Sequence, residues 1–356
     1  MIASLRASIM GIPALKLSKC EGVIMSQHLL QNHGQRALAK YQLITQFLCL
    51  FVLVMLASPG TAQESAESAS PGFIFWSSSE LQQRNAELGR AIRADGSARE
   101  TLADYVTPAR SHRFRFIRRD RDGRPEQHDA IEDYVFIQSG NGTILVGGEM
   151  LGRVGDLGDE IVGATSYPVG TGDVLRIPAG VPHAYLVGDE GHITYVLVRV
   201  PAFTSQAVLE PDGQAPELEP SGFGLWRAAE LAQRNEILGQ QIRPDGSARE
   251  TLADYGEGGS SHRIRFLRRN SDGPPELHQD IIDVVFVHSG AGQVLVGGEL
   301  IGQSNVSGSR IEGGERHQVA AGDVIHIPAK MPHAYLLSEQ DHITYVLLRV
   351  PAIPDR

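Results

Sequence analysis

Histidine and carboxylate residues occur at matching positions in two parts of the 356-residue chain. Residues 126–133 read EQHDAIED and residues 276–283 read ELHQDIID, while GDVLRIPAGVPHAY and GDVIHIPAKMPHAY occupy residues 172–185 and 322–335. Imidazole and carboxylate groups coordinate divalent metals and transfer protons. Side chains two positions apart on a strand share one face, and proline fixes the backbone before each motif histidine. Each pair of stretches is therefore a candidate for metal or acid–base chemistry.

The stretch GDVLRIPAGVPH resembles the second signature motif of the cupin superfamily, which runs Gly-Asp, four residues, Pro-x-Gly, two residues, His. The first cupin motif runs His-x-His, three or four residues, Glu, six residues, Gly. Both copies here give Glu-x-His, four residues, Asp, six residues and then Gly140 or Gly290. The spacing fits, but Glu stands for the first His and Asp for the Glu. In the second copy Lys330 also replaces the last glycine of the second motif.

The resemblance covers both repeats and implies an all-β fold of two tandem cupin barrels, each a double-sheet jelly roll preceded by a short helix. It also implies a divalent transition metal in each barrel, and Mn, Fe, Zn, Ni or Co suit nitrogen and oxygen ligands without sulfur. By analogy, Glu126 and Glu276 are candidate catalytic proton carriers as well as ligands. The expected metal ligands are Glu126, His128, Asp133, His183, Glu276, His278, Asp283 and His333.

Alternatives stay open at the level of the site and of function. Glu126 follows Pro125 in a turn-like stretch, so a solvent-facing side chain is as well supported as a ligand. A metal-free cupin would use the same residues only to hydrogen-bond a ligand or one another. The resemblance favours a metal-dependent enzyme, dioxygenase- or decarboxylase-like, that acts on a small oxygenated organic molecule. The alternative is a non-catalytic ligand-binding or structural bicupin, because fold alone does not settle function.

The chain contains an internal duplication at a constant offset of 150 residues. DGSARETLADY occurs at 95–105 and again at 245–255. A unit of this length is a domain and not a solenoid repeat. The predicted organisation is a leader at 1–62, a first cupin domain at 72–203, a linker rich in Pro, Glu and Gln at 204–221, and a second cupin domain at 222–353.

Each unit is predicted to begin with an amphipathic helix, for which Ser77 and Glu80 supply a capping box in the first copy only. After residue 105 or 255, short apolar runs broken by Gly, Asn and Pro predict six or more strands. These strands suggest a sandwich or closed barrel. Within the first set, Asn141-Gly142 predicts a hairpin turn.

Three further kinds of residue recur at the same offset. Two histidines lie at alternate strand positions to large apolar residues and so share their face of the strand. This favours histidines buried in the core over acid–base groups that line a pocket. A tyrosine and an arginine share one face of the last strand, where they could grip an anionic substrate or simply pack at the strand end. These residues are His112, His262, Tyr195, Arg199, Tyr345 and Arg349.

The first 62 residues have the order of a secretory signal. Arg36 and Lys40 precede the apolar run FLCLFVLVMLA at 47–57, and Gly60 and Ala62 are small residues before a cut at residue 63. The run is short for a span of about 20 residues. We therefore expect a cleavable signal and a periplasmic or secreted protein, with an uncleaved anchor as the alternative.

The remainder of the chain is acidic and free of cysteine. Cys20 and Cys49 both lie in the leader, where Met25 is an alternative start. The whole chain carries a net charge of −10 and the leader +4, which leaves −14 on the remainder. Such a surface repels phosphate backbones. The expected partner is therefore a small-molecule ligand or substrate, with no nucleic acid and no stable membrane insertion after signal cleavage.

Overall fold

The protein is described by a computed structural model over residues 72–105, 112–188, 191–202, 208–209, 218, 220, 222–255, 262–337 and 342–352. The predicted leader, residues 1–62, lies outside the described residues, as does most of the predicted linker. Both repeats belong to one compact unit, Ser68–Arg356. Within the described part of the chain, no helix combines the length and apolar character needed to cross a membrane.

Each repeat places one helix ahead of a series of antiparallel strands, in the same order both times, so the all-β prediction with short leading helices is confirmed. The first repeat comprises β1 (Ile74–Trp76), α1 (Ser78–Arg90), β2 (Ser97–Asp104), β3 (Arg113–Arg119), β4 (Ile131–Val146), β5 (Glu149–Leu151), β6 (Glu160–Val162), β7 (Thr165–Gly170), β8 (Val174–Ile177), β9 (His183–Leu186) and β10 (Ile193–Pro201), followed by β11 (Val208–Leu209). The second comprises β12 (Gly224–Trp226), α2 (Ala228–Gly239), β13 (Ser247–Tyr255), β14 (His262–Arg269), β15 (Ile281–Val296), β16 (Glu299–Ile301), β17 (Arg310–Glu312), β18 (Glu315–Ala320), β19 (Val324–Ile327), β20 (His333–Leu336) and β21 (Ile343–Pro351).

Two large antiparallel sheets carry the two barrels. One has the order β12-β8-β4-β10-β3-β2 and the other β1-β19-β15-β21-β14-β13-β11. The first half of the long strand β4 pairs with β8 and β10, and its second half pairs with β7 and β9. β15 pairs in the same way with β19 and β21 and then with β18 and β20. One bent strand thus joins the two layers of each jelly roll.

The predicted hairpin at Asn141-Gly142 is wrong. β4 runs through both residues, and Asn141 pairs with Gly170. The glycine-rich stretch bends the strand instead: Gly140 has a φ of 79°, and the β4–β10 register shifts beside it. A Cβ at residue 140 would collide with the carbonyl oxygen of His192. Glycine is therefore required where the strand crosses between layers.

The two helices begin as the sequence predicts. Ser77 Oγ accepts a hydrogen bond from the backbone N–H of Glu80 at 3.2 Å. The side chain of Arg227, at the equivalent position before α2, makes no capping hydrogen bond. Each helix packs two leucines of its apolar face into the core. These buried residues are Leu81, Leu88, Leu231 and Leu238.

The first strand of each repeat belongs to the barrel of the other repeat. β1 pairs with β19, so that Ile74 lies opposite His326. β12 pairs in the same way with β8, so that Gly224 lies opposite Arg176. The 150-residue offset relates the two registers, and the exchange is therefore reciprocal and pseudo-symmetric. Each exchanged strand covers what would otherwise be an open sheet edge.

An apolar core fills the space between the barrels, in addition to one core inside each barrel. The shared core includes Trp76 and Phe136 from the first repeat and Trp226 and Phe286 from the second. The rings of Phe136 and Phe286 stack face to face. Burial of side chains of this size contributes about 1.5–3 kcal/mol each. The two repeats therefore stabilise each other through side chains as well as strand pairing.

The predicted core histidines His112 and His262 lie at this interface and not in the barrel interiors. His112 Nε2 lies 3.2 Å from His326 Nε2, and His326 Nδ1 lies 2.8 Å from the carbonyl oxygen of Gly72. A carbonyl can only accept, so His326 carries its proton on Nδ1 and accepts at Nε2. His262 meets a different environment, with Nδ1 at 3.4 Å from Glu132 Oε2.

We expect His326 to make the protein less stable in acid. Burial, reinforced by the neighbouring His112, lowers the pKa of His326 to about 3, whereas an unfolded histidine titrates at ~6.5. The unfolded state therefore binds the extra proton as pH falls below the unfolded value, and the free energy of unfolding drops by about 1.4 kcal/mol per pH unit in that window.

The substitution His326→Asn keeps a donor towards Gly72 and removes the titration. It should reduce the stability lost between pH 7 and pH 5 by about 2 kcal/mol, measured by urea unfolding at both pH values. An equal loss in the variant and the native chain would contradict this assignment.

Candidate metal centre

A backbone bridge sets each motif glutamate beside the later histidine. The Glu126 N–H donates to the His183 carbonyl at 2.8 Å, and the His183 N–H donates to the Glu126 carbonyl at 2.9 Å. Glu276 and His333 form the same bridge at 2.7 and 2.9 Å. The Glu126 side chain, for which a ligand and a solvent-facing position were both open, is only 21% exposed and lies among the histidines.

Four predicted site residues converge in the first barrel. His128 Nε2 lies 3.5 Å from Glu126 Oε2 and 3.7 Å from Asp133 Oδ2. His183 Nε2 lies 3.8 Å from the same Asp133 oxygen. One ligand atom from each of Glu126, His128 and His183 lies within 4.8 Å of the others. Since metal–ligand bonds measure about 2.1 Å, donors at these separations could hold a divalent ion between them.

The second barrel repeats the cluster. His278 Nε2 lies 3.3 Å from Glu276 Oε2 and 3.5 Å from Asp283 Oδ2, and His333 Nε2 lies 3.6 Å from that aspartate oxygen. Ligand atoms of Glu276, His278 and His333 again lie within 4.8 Å of one another. The structure therefore brings all predicted ligands together, four in each barrel, while their role as ligands stays a prediction.

The lysine that departs from the family motif does not displace this second cluster. Lys330 has a φ of 65°, close to the 78° of Gly180 at the equivalent position. The amide of Lys330 donates to the His278 carbonyl at 2.7 Å, as the amide of Gly180 does to His128. The loop therefore keeps its path, with the lysine in a left-handed conformation that glycine adopts more readily.

A guanidinium group lies within each cluster. Arg199 Nη2 is 2.7 Å from His128 Nε2 and 3.2 Å from Glu126 Oε2. The same nitrogen is 3.3 Å from Asp133 Oδ2, and Arg199 Nε is 3.1 Å from Asp133 Oδ1. Arg199 is thus paired with carboxylates of the protein itself. It neither packs simply at the strand end nor serves an external anion alone.

Arg349 occupies the same place in the second barrel. Its Nη2 is 2.9 Å from His278 Nε2, 3.2 Å from Glu276 Oε2 and 3.5 Å from Asp283 Oδ2. Its Nε donates to Asp283 Oδ1 at 3.1 Å. Because a guanidinium only donates, this contact needs an unprotonated His278 Nε2, whereas, against the effect of burial, hydrogen bonds to Asp283 and Glu276 raise the pKa of His278 to about 9 and favour the protonated ring.

The glutamates of both clusters are ionised at neutral pH. Burial opposes ionisation of Glu276, but the surrounding histidines and arginines outweigh it and lower the pKa of Glu276 to about 2. The pKa of Glu126 also lies well below its usual range for the same reasons. Arg119 and Arg269 contribute directly, through contacts of 3.0 and 2.8 Å to the respective glutamates. Both glutamates are therefore available as anionic ligands, but a pKa this low makes them weak proton acceptors.

The later motif histidines are oriented as metal ligands usually are. His183 Nδ1 lies 3.1 Å from the Val181 carbonyl, and His333 Nδ1 lies 3.0 Å from the Met331 carbonyl. Because the Nδ1 proton is donated to the backbone carbonyl, Nε2 has no proton and its lone pair points towards the cluster. Burial lowers the pKa of His183, which keeps the ring neutral. Among the described residues, His333 Nε2 has no hydrogen-bond partner. The residues present thus fit a divalent metal.

The two barrels differ behind the earlier motif histidine. His128 Nδ1 lies 3.1 Å from Asp156 Oδ2, close enough for an ion pair with a protonated ring but without the alignment of a hydrogen bond. The equivalent position in the second repeat is Val306. His128 also has a side chain only 4% exposed, against 18% for His278. The second cluster is therefore the more accessible of the two.

The space beside the clusters differs more strongly. The cavity in the first barrel has a volume of about 20 Å³, room for about one water. The cavity in the second barrel has a volume of about 230 Å³ and is bordered by Glu276, His278 and Asp283. A small organic molecule fits the second cavity and not the first.

Each cavity is lined by three arginines that the sequence analysis did not single out. They are Arg99, Arg115 and Arg119 in the first cavity and Arg249, Arg265 and Arg269 in the second. The Nε of Arg265 is buried without a hydrogen-bond partner among the described residues. Burial and the nearby Arg349 and Arg263 lower the pKa of Arg265 to about 10, so it remains a cation at neutral pH. The available signal was the alternation of arginine and apolar residues in RIRF at 263–266, because alternate positions of a strand share one face.

Comparison with known proteins places the fold. No protein-family model matches the sequence, and no curated protein matches it. Among solved structures, a variant of salicylate 1,2-dioxygenase from Pseudoaminobacter salicylatoxidans aligns with a TM-score of 0.52 at 14% identity, over 90% of this chain and 95% of its own. Another variant of that enzyme, in complex with gentisate, aligns with a TM-score of 0.50 at 14% identity, over 92% and 98%.

A cupin 2 conserved barrel domain protein from Leptotrichia buccalis also aligns, with a TM-score of 0.45 at 14% identity, over 80% of this chain and 97% of its own. Together with the two sheets described above, the two alignments with salicylate 1,2-dioxygenase show that the chain shares the fold of that structure, two tandem antiparallel barrels, as the sequence predicted.

Proposed function

We propose that the chain is a metal-dependent bicupin enzyme that converts a small, oxygenated organic anion in the cavity of its second barrel. The observation that carries the proposal is the cluster of Glu276, His278 and His333 beside a cavity of about 230 Å³. The reaction proposed is dioxygenase- or decarboxylase-like. Salicylate and gentisate, which the names of the similar structures mention, are the first compounds to assay, followed by other small carboxylates.

Four side chains of the second barrel have distinct roles in this proposal. Glu276, His278 and His333 hold the metal, which when bound supplies a Lewis acid for a substrate oxygen. Arg265 binds a substrate carboxylate through charge-assisted hydrogen bonds. We also assign Glu276, an ionised carboxylate beside the cavity, as the proton carrier, although its low pKa makes it a weak base.

Tyr335 adds a donor to this cavity. Burial raises the pKa of the Tyr335 hydroxyl well above its usual value, so the hydroxyl stays protonated. It has no hydrogen-bond partner among the described residues and lines the cavity. We assign it to a substrate oxygen, because a buried hydroxyl without a partner is costly.

The first barrel carries the same ligand types, Glu126, His128 and His183 with Asp133 beside them, but no room for an organic substrate. We therefore assign it a metal without turnover. We also propose export of the chain, on the order of basic, apolar and small residues in the first 62 positions; N-terminal sequencing of the purified protein checks the cut before Gln63.

We expect each barrel to account for about one metal ion per chain at saturation. His128→Ala and His333→Ala should each remove about one ion, because each takes a donor from a separate cluster. Elemental analysis of the desalted full chain measures the loss, and His192→Ala, at a half-buried histidine outside both clusters, is the matched control. Turnover should disappear only in the His333 variant. A His333 variant with unchanged metal content would count against the proposed site.

A non-catalytic ligand-binding bicupin is the second candidate, and the guanidinium contacts favour it. Arg199 and Arg349 already neutralise part of the negative charge of their clusters, so each cluster has a cation without any metal. Chelation separates the two functions. An enzyme loses turnover when the metal is removed, whereas a binder retains its ligand, measured by calorimetry, and shows no turnover when fully loaded with metal.

A further inference from the structure

We propose that Arg199 and Arg349 are resident cations that a metal ion must displace, and that Arg349 yields its place more readily than Arg199. This inference rests on the metal site of the proposed function. It assigns to two arginines of the last strands, β10 and β21, control over which barrel takes up metal.

The exclusion follows from a shared lone pair. An imidazole nitrogen without hydrogen has one lone pair, and Arg199 Nη2, which can only donate, lies 2.7 Å from His128 Nε2, so in the neutral ring the guanidinium occupies the direction of that lone pair. A metal bound at the same nitrogen needs that lone pair. The nearby oxygens Glu126 Oε2 and Asp133 Oδ2 are engaged by the same Nη2. The guanidinium therefore cannot stay in place when these atoms become ligands.

The negative charge of the buried carboxylates explains why an arginine lies in each cluster. Glu126 and Asp133 are buried carboxylates, with side chains 21% and 3% exposed. Buried carboxylates without a cation destabilise a fold strongly. Arg199 supplies one positive charge to both, and a divalent ion would supply two. The arginine thus keeps the metal-free cluster intact at the expense of the apparent metal affinity.

The two arginines differ in where they can go. Arg349 lines the cavity of about 230 Å³, which can accept its guanidinium when a metal arrives. Arg199 lines a cavity of about 20 Å³, which cannot. The contacts that hold the two groups are otherwise alike, with closest approaches of 2.7 and 2.9 Å to the motif histidine. The second barrel should therefore load at lower metal concentration than the first.

The test titrates Mn²⁺ into the full chain and follows the free ion by electron paramagnetic resonance. A His333→Ala background confines binding to the first barrel. There Arg199→Met should tighten Mn²⁺ binding at least about tenfold, because it removes charge-assisted hydrogen bonds that the ion must otherwise break.

Arg115→Met in the same background is the matched control. It removes one positive charge from the same cavity, and within the described part of the chain Arg115 forms no hydrogen bond or ion pair with the ligand atoms, so the affinity should change by less than about threefold. Equal tightening by the two substitutions would overturn displacement in favour of simple charge repulsion and leave the metal site standing. No Mn²⁺ binding in any of these chains would overturn the proposed metal-dependent function as well.

The second barrel provides an independent copy of the test, which also applies if the Arg199 variant does not fold. In a His128→Ala background, Arg349→Met should tighten Mn²⁺ binding more than Arg265→Met. Between the two backgrounds, the His128→Ala chain should bind Mn²⁺ at least about tenfold more tightly than the His333→Ala chain. Equal affinities would refute the claim that Arg349 yields its place more readily.

Discussion

Either repeat produced alone, as residues 72–203 or 222–353, is expected to form a symmetric dimer and not a folded monomer. In the whole chain β1 completes the second barrel and β12 completes the first. An isolated repeat keeps its own first strand and the sheet edge that the other repeat's first strand would cover. In the full chain, however, its first strand pairs with the other barrel and not with its own edge. A second copy satisfies both needs, since equivalent residues of the two repeats already pair in this way.

The dimer should be detectable by light scattering coupled to size-exclusion chromatography. The full chain, which contains one pair of barrels, is the reference. Trp76→Ala is the matched variant for the first repeat, because Trp76 ends β1 and is 4% exposed in the shared core. Removal of a buried Trp side chain costs about 3–5 kcal/mol. The variant repeat should therefore be monomeric and poorly folded. A monomeric repeat with a cooperative unfolding transition would contradict the exchange.

The duplicated architecture was readable from the sequence, and the exchange was not. A constant offset of 150 residues and two cupin-like motifs predicted two equivalent barrels. The exchanged strands are only three residues long, IFW in the first repeat and GLW in the second. Such short segments do not indicate with which sheet edge they pair. Either pairing buries the same side chains, so only the path of the connecting chain distinguishes them. The predicted domain boundaries remain predictions, although the folded barrels share strands across them.

The candidate ligands were predicted from the resemblance to the two cupin motifs, which gives histidines and carboxylates at matching positions in both repeats. The position of Arg199 was not, since it depends on which face of β10 meets β4 and on the register that puts Arg199 opposite Asp133. The volume of each cavity could not be predicted from the sequence either. The sequence shows that Val306 and Ser307 stand where the first repeat has Asp156 and Leu157. A cavity volume, however, depends on the packing of many side chains together.

A second large effect is expected at the interface between the barrels, where one repeat has a buried ion pair and the other does not. Glu132 and Arg176 form a bidentate pair at 2.8 and 3.1 Å, with side chains 8% and 7% exposed. Arg176 also donates to the carbonyl of Gly222, next to the exchanged strand β12. The equivalent residues of the second repeat are Ile282 and His326.

Glu132→Ile should lower the free energy of unfolding by about 3–5 kcal/mol, because it leaves the buried guanidinium of Arg176 without its carboxylate. The double substitution Glu132→Ile with Arg176→His should recover most of that loss, since replacement of both partners of a buried ion pair is often nearly neutral. Isoleucine and histidine already occupy the equivalent positions 282 and 326, although Val284 there replaces Tyr134, whose hydroxyl donates to Glu132 at 3.3 Å. Urea unfolding at pH 7 measures both variants.

The reciprocal substitution supplies the control. Ile282→Glu alone buries a carboxylate beside His326 and should destabilise the protein, and addition of His326→Arg should restore much of the loss by rebuilding the pair in the other barrel. If the double variant at 132 and 176 is no more stable than Glu132→Ile alone, the two halves of the interface are not interchangeable. The pseudo-symmetry inferred from the matching strand registers would then hold for the backbone and not for the buried polar side chains.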